Sequence, residues 1–197
     1  MITPTHLNNA YTYETYTALI DQLLSEGKTT GTNQSEFLTE YTRMNQQRMK
    51  RWDKTYTPSA KVQAAAARIQ SPQTWLILTE GWCGDAAQNI PLLVKIARSN
   101  PLITVKLLLR DEHLDVMDAF LTDGGRAIPK LIILNEALEV LADWGPRPNT
   151  AQMMAKEFKA QPDGDFKVFA AQLHKWYADN KGQELEQELE ALLQKLV

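Results

Sequence analysis

The sequence predicts an α/β fold, a central mixed sheet flanked by helices, with helical segments added at both ends. Three observations support it. Apolar runs of strand length alternate with helical patterns in the order β–α–β–α–β–β–α from Thr74 to Ala160. The run ITVKLLLR (103–110) is β-branched and apolar on both faces, the composition of a central strand covered on both sides. The residues before Thr74 and after Pro148 carry helical spacing and no strand pattern.

Each element follows from its residues. Tyr16, Leu19, Ile20, Leu23 and Leu24 recur at helical spacing and stop at Gly27. The loop GKTTGTNQS leads to Ser35, an N-cap for a long helix whose stripe is Leu38, Tyr41, Met49, Trp52 and Tyr56. Glu36 and Glu40 near its start, and Arg48, Lys50, Arg51 and Lys54 near its end, suit the helix dipole. Pro58 opens a short third helix, AKVQAAAARIQ, closed by Ser71-Pro72. TWLILTE is a strand, AAQNIPLLVKIARSN a helix interrupted by Pro91, and LDVMDAFLT a helix followed by the turn DGGRAIP. KLIILNEALEVLADWG is a hairpin turning at Asn135-Glu136. Thr74–Glu80, Ile103–Arg110, Lys130–Asn135 and Leu138–Asp143 are therefore expected in one sheet, the last two antiparallel, with right-handed parallel crossovers. Helices follow at 149–160 and 166–180. An acidic end helix carries Leu185, Leu189, Leu192 and Leu196 on one stripe, too few heptads for a coiled coil and enough to pack on a core.

Composition narrows the function. The chain of 197 residues is long enough to bury a real core, and its net charge of −3 gives no reason to expect nucleic acid as a partner. A single cysteine rules out an internal disulfide framework and an all-cysteine metal site within one chain. The opening MITPTHLNNAYTYETY lacks the basic and apolar regions of a secretory signal, and no apolar run approaches the roughly 20 residues of a membrane span. A cytoplasmic location is expected, with no membrane partner. His6, His113 and His174 are scattered without ligand spacing, so no metal is expected. Trp52, Trp75, Trp144 and Trp176 read as core or interface aromatics, and RMKRWDK as a solvated helix end.

The chemistry concentrates in TEGWCGDAAQ (79–88), which holds the lone Cys83. A cysteine in the first turn of a helix sits where unpaired N–H groups and the dipole favour an anion, which lowers a thiol's pKa. Gly84 leaves room for another chain to approach, and Trp82 offers a flat apolar surface. Asp85 suits a helix N-terminus but repels a neighbouring thiolate, and Glu80 adds to that, so the field at Cys83 is mixed.

From about Thr74 to Ala160 the sequence resembles thioredoxin. The resemblance rests on an apolar strand running into Trp82-Cys83-Gly84, on Pro91 eight residues after the cysteine, and on Ile128-Pro129 before a hairpin that ends near Gly145. It implies a thioredoxin-like core at 73–160, a helical N-terminal extension at 1–72, and C-terminal helices packing on the core at 161–197. The extra helices look like the embellishments of bacterial thioredoxin-like proteins. The resemblance further implies a cis bond before Pro129, close to Cys83, with the preceding backbone presented to an extended substrate.

The pattern is broken in three places. Ala86 stands where thioredoxins carry the resolving cysteine, Ile77 where they commonly bury an acid, and Asp85 where a proline usually lies between the cysteines. Without a second thiol, a mixed disulfide on Cys83 is cleared only by an outside thiol. The expected function is therefore monothiol thiol–disulfide exchange on a protein or small-molecule disulfide, or on a glutathionylated thiol. Cys83 would be the nucleophile, and Trp82, Gly84, Asp85, Ile128 and Pro129 would bind substrate. An external low-molecular-weight thiol such as glutathione would complete the cycle, with no bound cofactor. The alternative is a non-catalytic thioredoxin-fold module that holds a partner in the groove near Cys83 and Pro129. An iron–sulfur site like that of single-cysteine glutaredoxins ranks lowest, because their CGFS signature is replaced by Cys83-Gly84-Asp85-Ala86.

Overall fold

The computed structural model describes residues 2–196. The chain starts with helices α1 (Pro4–Asn9), α2 (Tyr13–Ser25), α3 (Glu36–Thr55) and α4 (Ala60–Ala67). Strand β1 (Gln73–Thr79), helix α5 (Gly84–Ala97), strand β2 (Ile103–Leu109), the single turn α6 (Leu114–Met117) and the hairpin β3 (Lys130–Leu134)–β4 (Val140–Trp144) follow. Helices α7 (Asn149–Lys159), α8 (Phe166–Asn180) and α9 (Gln183–Leu193) end it. The four strands form one mixed sheet in the order β2-β1-β3-β4. β1 runs parallel to β2 and antiparallel to β3, in a register that pairs Trp75 with Val105 and Leu76 with Ile132; β3 and β4 are antiparallel.

Burial explains the order. Trp75, Leu76, Ile77 and Leu78 of β1 and Leu131–Leu134 of β3 are buried on both faces, so these strands lie centrally. α5 is buried almost all round, as a helix must be when it runs between the sheet and other helices, here α3 and α4. At the sheet's outer edges, Tyr11 exchanges two backbone hydrogen bonds of 2.8 Å with Leu107 of β2, whereas β4 leaves Val140 and Leu141 exposed. The end helix packs on α4 with Leu185, Leu189 and Leu193 fully buried, while Leu192 and Leu196 of the expected stripe are half-buried against the same core.

Several boundaries differ from the sequence expectation. The short helix α1 carries no periodic apolar signal, and His6 closes its first turn as a capping box with Thr3. α4 is capped by Ser59 rather than opened by Pro58, and it ends at Ala67. Only one helical turn forms in LDVMDAFLT. β4 begins at Val140 because Asn135 accepts from the Glu139 N–H at 2.9 Å and Leu138 takes a positive φ of 62°, which lengthens the turn. The inner face of α3 is Thr39, Thr42, Asn45, Met49 and Trp52, with Leu38 and Tyr41 turned aside. Part of that polar half meets the loops: Thr42 shares a hydrogen bond with the Thr29 hydroxyl, and Asn45 donates to the Gly81 carbonyl at 3.0 Å, just ahead of Cys83.

Candidate functional site

The loop Glu80–Trp82 carries the chain from β1 into α5, and Cys83 is the N-cap of that helix. Its Sγ accepts from the Ala86 N–H at 3.4 Å and donates its own proton to the Ile128 carbonyl at 3.2 Å. The Ile128–Pro129 peptide is cis, and Ile128 is buried. Gly145, at φ +112°, lets the hairpin's far end pass against the Pro129 carbonyl, where a Cβ has no room. Strand end, helix start and the loop before β3 thus meet at one sulfur.

That sulfur is a thiol. Cys83 is only 8% exposed. Burial pushes its pKa up to about 12, the Asp85 charge adds to the rise, and the Ala86 N–H and Arg147 only partly oppose it. The expected gain of thiolate from the helix start is outweighed by desolvation, a correction to the sequence reading. Glu80 plays little part in this, because its carboxylate turns to accept the Asp111 N–H at 2.9 Å. Glu80 is itself fully buried, one carboxyl oxygen has no protein partner among the described residues, and burial raises its pKa.

A groove of about 330 Å³ lies over Cys83, walled by Tyr41, Trp82, Phe166 and Phe169 among others. The Arg110 guanidinium lies 4.9 Å over the Trp82 ring. Part of the wall comes from α8, through Phe169, Ala170, Leu173 and His174. A Cβ on Gly84 would stand 2.9 Å from the His174 Cε1, so the chain that Gly84 admits is this protein's own α8.

The sequence profile of the family described as thioredoxin matches residues 31–159. The chain belongs to the thioredoxin family. The match begins ahead of β1 and takes in α3 and α4, helices the sequence resemblance left outside. A 1.5 Å crystal structure of PA1234, a protein of unknown function from Pseudomonas aeruginosa, is similar over 100% of both chains, with a TM-score of 0.63 at 17% identity. An HIV epitope-scaffold is similar over 93% of this chain and 98% of its own, with a TM-score of 0.54 at 19% identity. These likenesses show the fold. None of the curated proteins matches the chain. No helix among the described residues is long and apolar enough to cross a membrane.

Within this thioredoxin fold, the departures from the family pattern have structural consequences. Ala86 and Ile77 are both buried, so apolar side chains fill the space where a resolving thiol and its acid would stand. Asp85, 6% exposed, is neither a simple cap nor a surface contact. Arg147, just after β4, pairs with it at 2.6 Å, and Tyr177 of α8 donates to it at 2.9 Å. Burial pushes the Asp85 carboxyl up, with Arg147 the first of the groups that oppose the shift. Asn89, one turn along α5, donates to the Asp85 carbonyl and to the Tyr177 hydroxyl. Arg147, Tyr177, Gln88 and His174 escaped the sequence reading. The available signal was Asp85, Gln88 and Asn89 on one side of a helix otherwise apolar enough to be buried, since buried polar groups demand partners.

Of the three histidines, two come together. His6 and His113 pack at 5.7 Å between ring centroids, and with Asp115 they hold three ligand-type atoms within 4.8 Å of one another. His6 Nδ1 accepts the Thr3 N–H at 3.0 Å, which leaves the proton on Nε2, 3.0 Å from Asp115. A metal-bound imidazole donates from its other nitrogen. The polarity here is the reverse, that of a tether between α1 and α6.

Proposed function

We propose that this thioredoxin-family protein carries out monothiol thiol–disulfide exchange through Cys83. The observation that carries the proposal is the lone thiol at the start of α5, in contact with the Ile128 carbonyl and facing a groove, with Ala86 in place of a second sulfur. In the first step Sγ attacks one sulfur of a protein or small-molecule disulfide and forms a mixed disulfide. The other sulfur leaves as a thiol, taking up the proton that Cys83 loses. An external thiol such as glutathione then attacks the mixed disulfide, departs as the new disulfide, and returns a proton to Cys83. Substrate lies against Trp82 and the Ile128–Pro129 backbone, because Gly84 and Asp85, expected from the sequence to touch substrate, are taken up by α8 and Arg147, and no bound cofactor takes part. The proton held toward Ile128 keeps the resting site quiet, so exchange begins when an incoming backbone takes over that carbonyl and Sγ becomes wet.

The test is mass analysis of the folded protein after incubation with oxidised glutathione. A glutathione adduct on Cys83, removed by added reduced glutathione, is expected. A folded protein that stays unmodified, while its denatured chain is modified, would overturn exchange and leave the groove as a non-catalytic binding module.

A further inference from the structure

Gln88 lies one turn into α5 beyond Cys83, buried between α3 and α8. Its side chain touches two rings. The Trp52 indole N–H, which can only donate, lies 2.6 Å from Oε1 and fixes which end of the amide is oxygen. The opposite end, Nε2, therefore carries hydrogens and donates to His174 Nδ1 at 3.1 Å. A nitrogen that accepts carries no proton, so a neutral His174 holds its proton on Nε2. That nitrogen lies beside Gly84, which also lines the groove, 3.1 Å from the place a Gly84 Cβ would occupy, and it has no acceptor among the described residues. A second proton on the ring would collide with the Gln88 amide, and burial together with Arg48 and Arg51 holds the pKa down to about 4.

The groove's remaining charges are already matched. Arg110 bonds to Asp111 at 2.7 Å, Arg126 to Asp118 at 2.6 Å, and Arg147 to Asp85 at 2.6 Å, with the buried Arg147 Nε–H alone lacking a partner among the described residues. What the groove offers beside Cys83 is thus a neutral donor of fixed direction. We propose that His174 is a specificity-determining residue of this groove: its Nε2–H, aimed by Trp52 and Gln88, donates a hydrogen bond to an uncharged carbonyl next to the reacting sulfur of the substrate. The inference rests on the exchange reading for the sulfur, but not for the donor. The ring comes from α8, outside the residues matched by the family, so the specificity belongs to this chain's own extension.

The probe is S-methyl-N-acetylcysteamine, an unreactive thioether with an amide carbonyl near its sulfur. Long-range proton–nitrogen correlation of the labelled protein at pH 7 should show His174 protonated on Nε2 alone, and that signal should shift saturably as the probe is added. Gln88→Glu supplies a carboxylate that accepts from both Trp52 and His174 Nδ1, turning Nε2 into an acceptor. Binding should then weaken about tenfold, as it should in His174→Phe, while His174→Gln, which keeps a donor, should stay within about threefold of the parent. A proton on Nδ1 in the parent protein, or equal binding by the parent and His174→Phe, would overturn the proposal. Because the probe cannot exchange, a shift at His174 in a protein whose Cys83 forms no adduct would sink the exchange reading alone, and the reverse would sink the donor alone.

Discussion

The two halves of α5 solve burial in opposite ways. From Ile90 to Ala97 nearly every buried side chain is apolar and packs into the main core. From Asp85 to Asn89 the buried groups include a carboxylate and two amides, and each is satisfied from elsewhere: Arg147 and Tyr177 for Asp85, Trp52 and His174 for Gln88, Tyr177 for Asn89. The apolar half needs only volume and water exclusion. The polar half needs named partners at fixed angles, and those partners tie α3, α8 and the end of β4 to the turn that carries the thiol.

The largest expected effect tests whether the polar half keeps Cys83 protonated. Iodoacetamide should modify the native thiol at pH 7 at least about a hundredfold more slowly than the unfolded chain, because thiolate is the reacting form. The rate should climb as pH rises toward 12. The sign for stability follows: a native thiol pKa above the unfolded value of about 8.5 contributes fully below that pH, and the contribution is lost as pH rises toward 12. Rapid neutral alkylation of folded protein would show that the polar half leaves the sulfur open.

Next in size is Leu93→Ala in the apolar half. Leu93 is fully buried, so about 3 kcal/mol should be lost in denaturant unfolding, from transfer and cavity terms together. Asp85→Asn in the polar half should cost less, about 2 kcal/mol, from an unpaired Arg147 and a weakened Tyr177 bond. Its signature should be regional, with amide exchange in α8 rising well before exchange in β1. Equal loosening of both would erase the contrast between the halves. The smallest effect is acidic. His174 takes its proton near pH 4 in the native state, against about 6.5 when unfolded, so the unfolded chain gains protons first and stability should decline as pH falls from 6.5 to 4. His174→Phe should flatten that part of the pH profile, read as the change in denaturation midpoint.

The same contrast decides what the sequence could reveal. Strand runs such as TWLILTE and ITVKLLLR announce themselves, because burial on both faces demands continuous apolar residues. Cys83, Pro91 and Ile128-Pro129 were legible as a spaced set. The thiol's protonation was not, since it depends on a helix folding back from about ninety residues away, which no local pattern encodes. Of the stripe assigned to α3, Met49, Trp52 and Tyr56 are buried, but Thr39, Thr42 and Asn45 face inward in place of Leu38 and Tyr41, because that half meets the polar loops around Thr29 and Gly81, where hydrogen-bonding side chains serve better than apolar ones. The three histidines looked scattered because spacing along the chain says nothing of tertiary pairing, and His6 and His113 meet only once α1 docks.

The Tyr11–Leu107 bridge has a consequence for self-assembly. An open sheet edge is a template onto which a foreign strand can zip, and the middle of β2 would be such a template, were its Leu107 amide and carbonyl not both taken by the N-terminal segment. A chain trimmed to begin after Tyr11 would uncover those two groups at a buried leucine and should sediment as aggregates under conditions where the full chain does not. Capping the middle of that edge is a duty of Tyr11 unrelated to the thiol.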